Sequence, residues 1–142
     1  MSILIDTNVL SEFRKVGDGR ADLRVVAWAN TVDAAELYVS VITLMEIELG
    51  ILRMERKDAS QGSRLRAWFA GHVLPEFADR TLPVTTEVAL RAATLHVPDP
   101  QPDRDAYIAA TALTHRMMVA TRNVGDFVKS GATVVNPWTS DS

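Results

Sequence analysis

An α/β fold, with a mostly parallel five-stranded sheet covered by helices on both faces, is what this 142-residue sequence predicts. Two observations lead there. Five short runs rich in apolar and β-branched residues are spread along the chain. Segments with helical periodicity fill most of the stretches between them. Short hydrophobic strands alternating with helices make a parallel sheet whose crossovers lie on its faces.

The first strand is Ser2 to Ile5. A helix follows from Asn8 to Lys15, with Val9, Leu10 and Phe13 at helical spacing and Asp6 or Thr7 placed to cap it. "GDGRAD", Gly17 to Asp22, is a turn-rich loop. Leu23 to Asn30 is a second helix, with Val25, Val26 and Trp28 as its apolar residues. Leu37 to Ile42, "LYVSVI", is the second strand. Thr43 opens the next helix: Thr43 with Glu46 matches a capping box, and Leu44, Ile47, Ile51 and Met54 form its stripe. Lys57 to Gly62 is a polar break. Ser63 to Leu74 is amphipathic, and Pro75 is expected to end it, since proline lacks the N–H and crowds the preceding turn.

Thr81 to Val84 is the third strand and Thr86 to Leu95 a helix. "HVPDPQPDRD" has three prolines in ten residues and is a loop. Asp105 to Arg116 is a small-residue helix, and Met117 to Thr121 the fourth strand. "RNVGDFVKSG" is a turn with a short helix, and "ATVVNP" a fifth strand ending at Pro137. There are no repeats and no low-complexity segments.

The length suits one domain over 1–142, large enough to bury a core without staples. With no cysteine, disulfide scaffolds, thiol catalysis and zinc–thiolate sites are excluded together. No apolar run approaches a membrane span. The N-terminus lacks a basic region and Asp6 interrupts its apolar stretch, so a signal peptide is not expected and the reading is cytoplasmic. The net charge of −3 argues mildly against a nucleic-acid binder, unless a bound cation reverses the local field.

In open parallel sheets functional groups gather beyond the carboxyl ends of the strands. Asp6 follows the first strand there, and Asn123 and Asp126 follow the fourth. Glu46 is in the first turn after the second strand, and Asp105 heads the helix that feeds the fourth. Carboxylates gathered in one cleft repel each other unless a cation is present. Oxygen donors without Cys or His suit Mg²⁺ or Mn²⁺. Such a cluster fits phosphodiester hydrolysis by metal-activated water. Each acid alone has a plainer reading: Asp6 as an N-cap, Glu46 as half of a capping box, Asp105 or Asp103 as a cap, Asp126 as a turn residue. The case rests on their common placement.

The stretches "LIDTNVLSEF", "SVITLMEIELG", "DAYIAATALTHRMMVATRN", "GDF" and "VVNPW" run through nearly the whole chain. In that order they resemble the PIN-domain ribonucleases of the VapC toxin type, in the FitB-like branch of type II toxin–antitoxin systems. The resemblance implies a three-layer α/β/α PIN fold and a Mg²⁺- or Mn²⁺-dependent endoribonuclease acting on RNA, with tRNA or rRNA as the expected target. It implies a cognate VapB- or FitA-like antitoxin that docks at the acidic cleft and reaches operator DNA on the toxin's behalf. A homodimer, and a heterotetramer or hetero-octamer with antitoxin, are implied as well. Carried over by position, Asp6, Glu46 and Asp105 hold the metal. For the fourth position, many such chains have an aspartate where this one has Asn123. Others have "TRN" and an acid three residues later, here Asp126, so both stand as candidates. Thr7, Asn8 and Thr121 adjoin the site, as substrate-contacting or orienting groups or as plain capping and strand-end residues.

A rival reading makes the chain an antitoxin-bound co-repressor subunit with little or no nuclease turnover. A flavodoxin-like signalling domain would need a phosphoacceptor aspartate on a middle strand, where this chain has Val84 and Thr85. His72, His96 and His115 have no mutual spacing that makes a site. Trp28, Trp68 and Trp138 are core anchors or RNA-stacking faces. Arg14 with Lys15, Arg53 with Arg56 and Lys57, and Arg64 with Arg66 are solvated helix faces or carriers of a substrate backbone. The "GILRMERK" helix and the one after it are a candidate antitoxin groove.

Overall fold

A computed structural model describes residues 1–139; the last three residues of the expected domain, 140–142, lie outside the described residues. The strands are β1 (Ile3–Ile5), β2 (Leu37–Ser40), β3 (Thr81–Leu82), β4 (Met118–Ala120) and β5 (Val134–Val135). They form one sheet in the order β3-β2-β1-β4-β5, and every neighbouring pair is parallel. Between them run α1 (Thr7–Arg14), α2 (Leu23–Ala29), α3 (Val41–Lys57), α4 (Ala59–Trp68), α5 (Leu74–Glu76), α6 (Thr86–Leu95), α7 (Asp103–His115) and α8 (Val124–Val128).

Side chains alternate across the pleat, so each strand feeds two cores. Ile3, Ile5, Leu37, Val39 and Ala120 join Val9, Val25, Trp28, Ile47 and Ile51 on one face. Leu4 and Val119 meet Ile108, Ala109, Ala112 and Phe127 on the other. Val88 and Ala92 of α6 seat on Ala110 of α7 in a smaller cluster. The layered α/β/α arrangement expected from the sequence is therefore present, with β1 at its centre.

Several boundaries differ from expectation. β2 stops at Ser40 and α3 begins at Val41, because the Ser40 hydroxyl accepts the N–H of Ile42 and caps the helix. The β-branched pair Val41 and Ile42 belongs to the helix, not the strand. The Thr43–Glu46 capping box does not form: Thr43 lies inside the helix, buried, with its hydroxyl unpartnered among the described residues. The break expected over Lys57–Gly62 is the single residue Asp58, whose carboxylate caps α4 through Ser60 and Gln61. Pro75 does not stop its helix. The chain widens to a π turn over Phe69–Val73, with Leu74 N–H bonded to Phe69 O, and continues to Glu76. The carbonyl that the proline ring would strike, that of Gly71, lies inside the widened turn.

α3 and α4 pack closely at Gly62, where a Cβ would lie 2.6 Å from the Glu55 Cα. Arg66 closes the same seam with Glu48 at 2.5 and 2.8 Å. Trp28 and Trp138 are buried, Trp138 beneath the Arg122 guanidinium at 5.0 Å, while Trp68 is half-buried. His96 folds the proline-rich loop: its Nδ1 accepts the Gln101 N–H and its Nε2 is 3.5 Å from Asp103. Among the described residues no helix is long and apolar enough to cross a membrane.

Candidate active site

The chain leaves β1 for β2 and β3 on one side, then returns to β4 and β5 on the other. The carboxyl ends of β1 and β4 therefore flank a switch point, where open sheets bind ligands. Asp6 stands at that point. Its N–H donates to Ala120 O at 2.9 Å, which continues the β1–β4 ladder by one residue. Its carbonyl accepts from Val9 and Leu10 and so starts α1. The carboxylate accepts the Thr7 N–H at 2.8 Å on Oδ1, and the Thr121 hydroxyl at 2.8 Å and the Asn8 amide at 3.4 Å on Oδ2. Capping and site membership thus coexist in one side chain. Asp6 is only 4 % exposed. Burial pushes its carboxyl above the usual range, helped by the charges of Glu46 and Asp126; the bonds from Thr121 and Thr7 pull it back.

Thr121 is fully buried just past β4, and its hydroxyl is used twice. It donates to Asp6 and accepts the Asn123 N–H at 3.0 Å. It orients Asp6 and has no proton left to orient a water. Asn8 links the two strand ends, its Oδ1 accepting the Arg122 N–H at 3.2 Å. Thr7 donates its hydroxyl to Glu46 Oε1 at 2.7 Å. Because α3 starts at Val41, Glu46 lies in the second turn rather than the first, and faces α1 across that bond.

α7 begins at Asp103 behind Pro102, so Asp105 is its third residue rather than its first. Neither Asp103 nor Asp105 caps the helix. Among the described residues the Asp105 carboxylate accepts no hydrogen bond. Its carboxyl is pushed up to about 6, first by burial, then by Asp6, Asp126 and Glu46. Asp126, third residue of α8, lines a small depression together with Asp105. Asn123 precedes α8 and, among the described residues, bonds only through its backbone, donating to Thr121 and accepting from Asp126.

The four carboxylates Asp6, Glu46, Asp105 and Asp126 therefore share one field. Their hard oxygens and mutual repulsion fit a divalent cation such as Mg²⁺ or Mn²⁺. As the side chains stand, no three acids among the described residues converge on one point at ligand distance. Asp6 is turned toward Thr121, and Glu46 toward Thr7 and Arg104. Arg104 is the group that sequence reasoning passed over: its Nη1 is 3.6 Å from Glu46 Oε2. Its only signal in the sequence is its place directly before Asp105, on a helix whose start was set two residues late.

The PIN-domain family model matches residues 3–129. The chain is 37% identical over 144 residues to "VapC ribonuclease Y4jK" of Sinorhizobium fredii, covering 96% of this chain and 97% of that one. It is 35% identical over 141 residues to "Toxin FitB" of Neisseria gonorrhoeae, covering 96% and 98%. Its fold superimposes on the solved structure of FitAB bound to an IR36 DNA fragment with a TM-score of 0.87, at 34% identity, over 99% of this chain and 98% of that one.

Proposed function

The chain belongs to the PIN-domain family, and from that membership we propose that it is a Mg²⁺- or Mn²⁺-dependent endoribonuclease, the toxin of a VapBC-type toxin–antitoxin pair. One observation carries the reading: four carboxylates gather at the sheet's switch point, where burial and the neighbouring charges raise Asp6 and Asp105. Asp6, Glu46 and Asp105 are assigned as metal ligands. For the fourth position the field at Asp6 and Asp105 supports Asp126, with the Asn123 amide oxygen as the alternative donor. A cation held by these residues would supply activation of a water nucleophile and positive charge against that growing on the phosphodiester. Thr121 and the Thr7 N–H hold Asp6, and the Thr7 hydroxyl holds Glu46, partners that would steady the two carboxylates once a cation draws them together. Arg104 places one positive charge beside the carboxylates, where a scissile phosphate would approach.

The same reading assigns the chain to the cytoplasm, as a homodimer joined to a VapB- or FitA-like antitoxin docked at the acidic cleft. Operator DNA is reached through that partner, in keeping with a relative solved as FitAB on DNA. The substrate is RNA, with tRNA or an rRNA loop as the first targets to examine. The test is cleavage of total bacterial RNA by antitoxin-free protein in Mg²⁺, Mn²⁺ and EDTA, beside Asp6→Asn. Discrete fragments that need the metal and are absent from the variant are expected. Full metal-dependent cleavage by Asp6→Asn would remove the assignment.

A second reading has one observation in its favour. Glu46 already holds a guanidinium, that of Arg104, which is the contact by which a partner's arginine would dock. A chain that acts chiefly as co-repressor would still tighten operator binding by its antitoxin after Asp6→Asn, and its expression would not be toxic.

A further inference from the structure

Beyond the acids, the surface continues as a groove. A depression of about 230 Å³ runs from Thr7 and Glu46 past Arg14 to Trp68. A second, of about 340 Å³, shares Arg14 and Trp68 and adds Arg64. Arg14 is seven residues after Thr7 on α1, about 10 Å along the helix axis. The groove is therefore continuous with the catalytic edge rather than a separate cavity.

Its cations are uncommitted. Some basic side chains elsewhere are tied down, Lys15 to Glu12, Arg66 to Glu48, and Arg80 to Glu76 and to three backbone carbonyls, while others, such as Arg53, Arg56 and Lys57, form no ion pair among the described residues. Arg14 and Arg64 form no ion pair among the described residues. The one acid at their end, Asp18, is held by Arg20 at 2.9 Å. Arg14 suits the carboxyl end of α1, which accounts for its type there but not for Arg64 on the facing helix. The half-buried Trp68 lines both depressions with Arg14. Two guanidinium groups without ion pairs among the described residues, sharing a depression with an aromatic side chain beside the acids, match the stacking-and-phosphate pattern of single-strand binding. Another depression lined by Trp68, of about 440 Å³, is mostly apolar, and its Arg80 is already bound. That chemistry suits protein rather than a polyanion.

We propose that the groove from Glu46 through Arg14 and Trp68 to Arg64 carries the single-stranded RNA leading away from the cleavage site. The proposal rests on the nuclease reading above. It is tested by the binding of a single-stranded RNA oligonucleotide to Asp105→Asn protein, silenced for cleavage, in Mg²⁺ between about 50 and 200 mM salt. Replacing Arg14 and Arg64 together by Gln is expected to reduce the slope of log affinity against log salt by about 1.4, roughly 0.7 per lost phosphate contact. Trp68→Leu is expected to weaken binding about tenfold with the slope unchanged. Lys at both arginine positions restores the slope, which separates lost charge from lost folding. An unchanged slope in the double Gln variant overturns the groove while leaving a cleaving wild type as a nuclease. Loss of antitoxin binding with RNA binding intact also overturns it, in favour of a protein-docking face. A wild type that cleaves no RNA, with a silenced form that binds none, removes both readings.

Discussion

The Asp6–Thr121 contact shows how one buried hydroxyl sets the chemistry of an acid. Thr121 donates the bond that most opposes the desolvation of Asp6. Thr121→Val keeps the shape and removes the donor. The Asp6 carboxyl is then expected to rise further, and the Asn123 N–H to lose its acceptor. A buried carboxylate deprived of a donor costs about 1–3 kcal/mol, measurable by urea denaturation, while Thr121→Ser stays near wild type. This pairing was not legible in the sequence. Asp6 and Thr121 could each be placed at a strand end, but only the β1–β4 register makes the ends adjacent. Arg104 was hidden for a related reason: with the helix start set at Asp105, the residue before it read as loop.

Among the elements, the α3–α4 seam makes the sharpest demand on sequence. Glycine is required at position 62 by space, not by backbone angle, since the neighbouring Glu55 backbone occupies the place of a Cβ. Gly62→Ala is expected to destabilise the protein by about 1–3 kcal/mol despite the better helix propensity of alanine, seen as a lower melting temperature. An unchanged or higher value would mean that the helices separate freely. Sequence patterning identified each strand and nearly every helix because buried apolar residues recur at fixed periods. It misjudged junctions where a side chain decides the matter. The Ser40 hydroxyl turned an apparent β-branched strand into a helix start, and Asp58 compressed a six-residue break into one cap. Pro75 was misread because the π turn that admits it leaves no compositional mark.

Across the whole molecule, the crowding of negative charge couples stability to protons and cations. The Asp105 carboxyl lies at about 6 in the folded protein against 3.8 ordinarily. Between those values the folded state binds more protons than the unfolded chain, so this group's contribution to stability falls as pH rises from about 4 to 6. Asp6, also raised, acts in the same direction. Thermal melts in EDTA are expected to show a steeper loss over that interval for wild type than for Asp105→Asn. Mg²⁺ is expected to restore stability at pH 7.5 and much less at pH 5, where protons compete for the same oxygens. Equal Mg²⁺ stabilisation at both values would argue against carboxylate ligation.

The sheet order has one more consequence. The bond from Thr121 to Asp6 spans 115 residues, and β1 reaches its full set of neighbours only when β4 arrives. During synthesis at about 5–20 residues per second, Asp6 waits some 6–23 s for its partner. A ribosome making this chain therefore carries the Asp6 carboxylate on an unfinished centre strand. The edge that joins Asp6 to Thr121 takes shape only after β4 has been made.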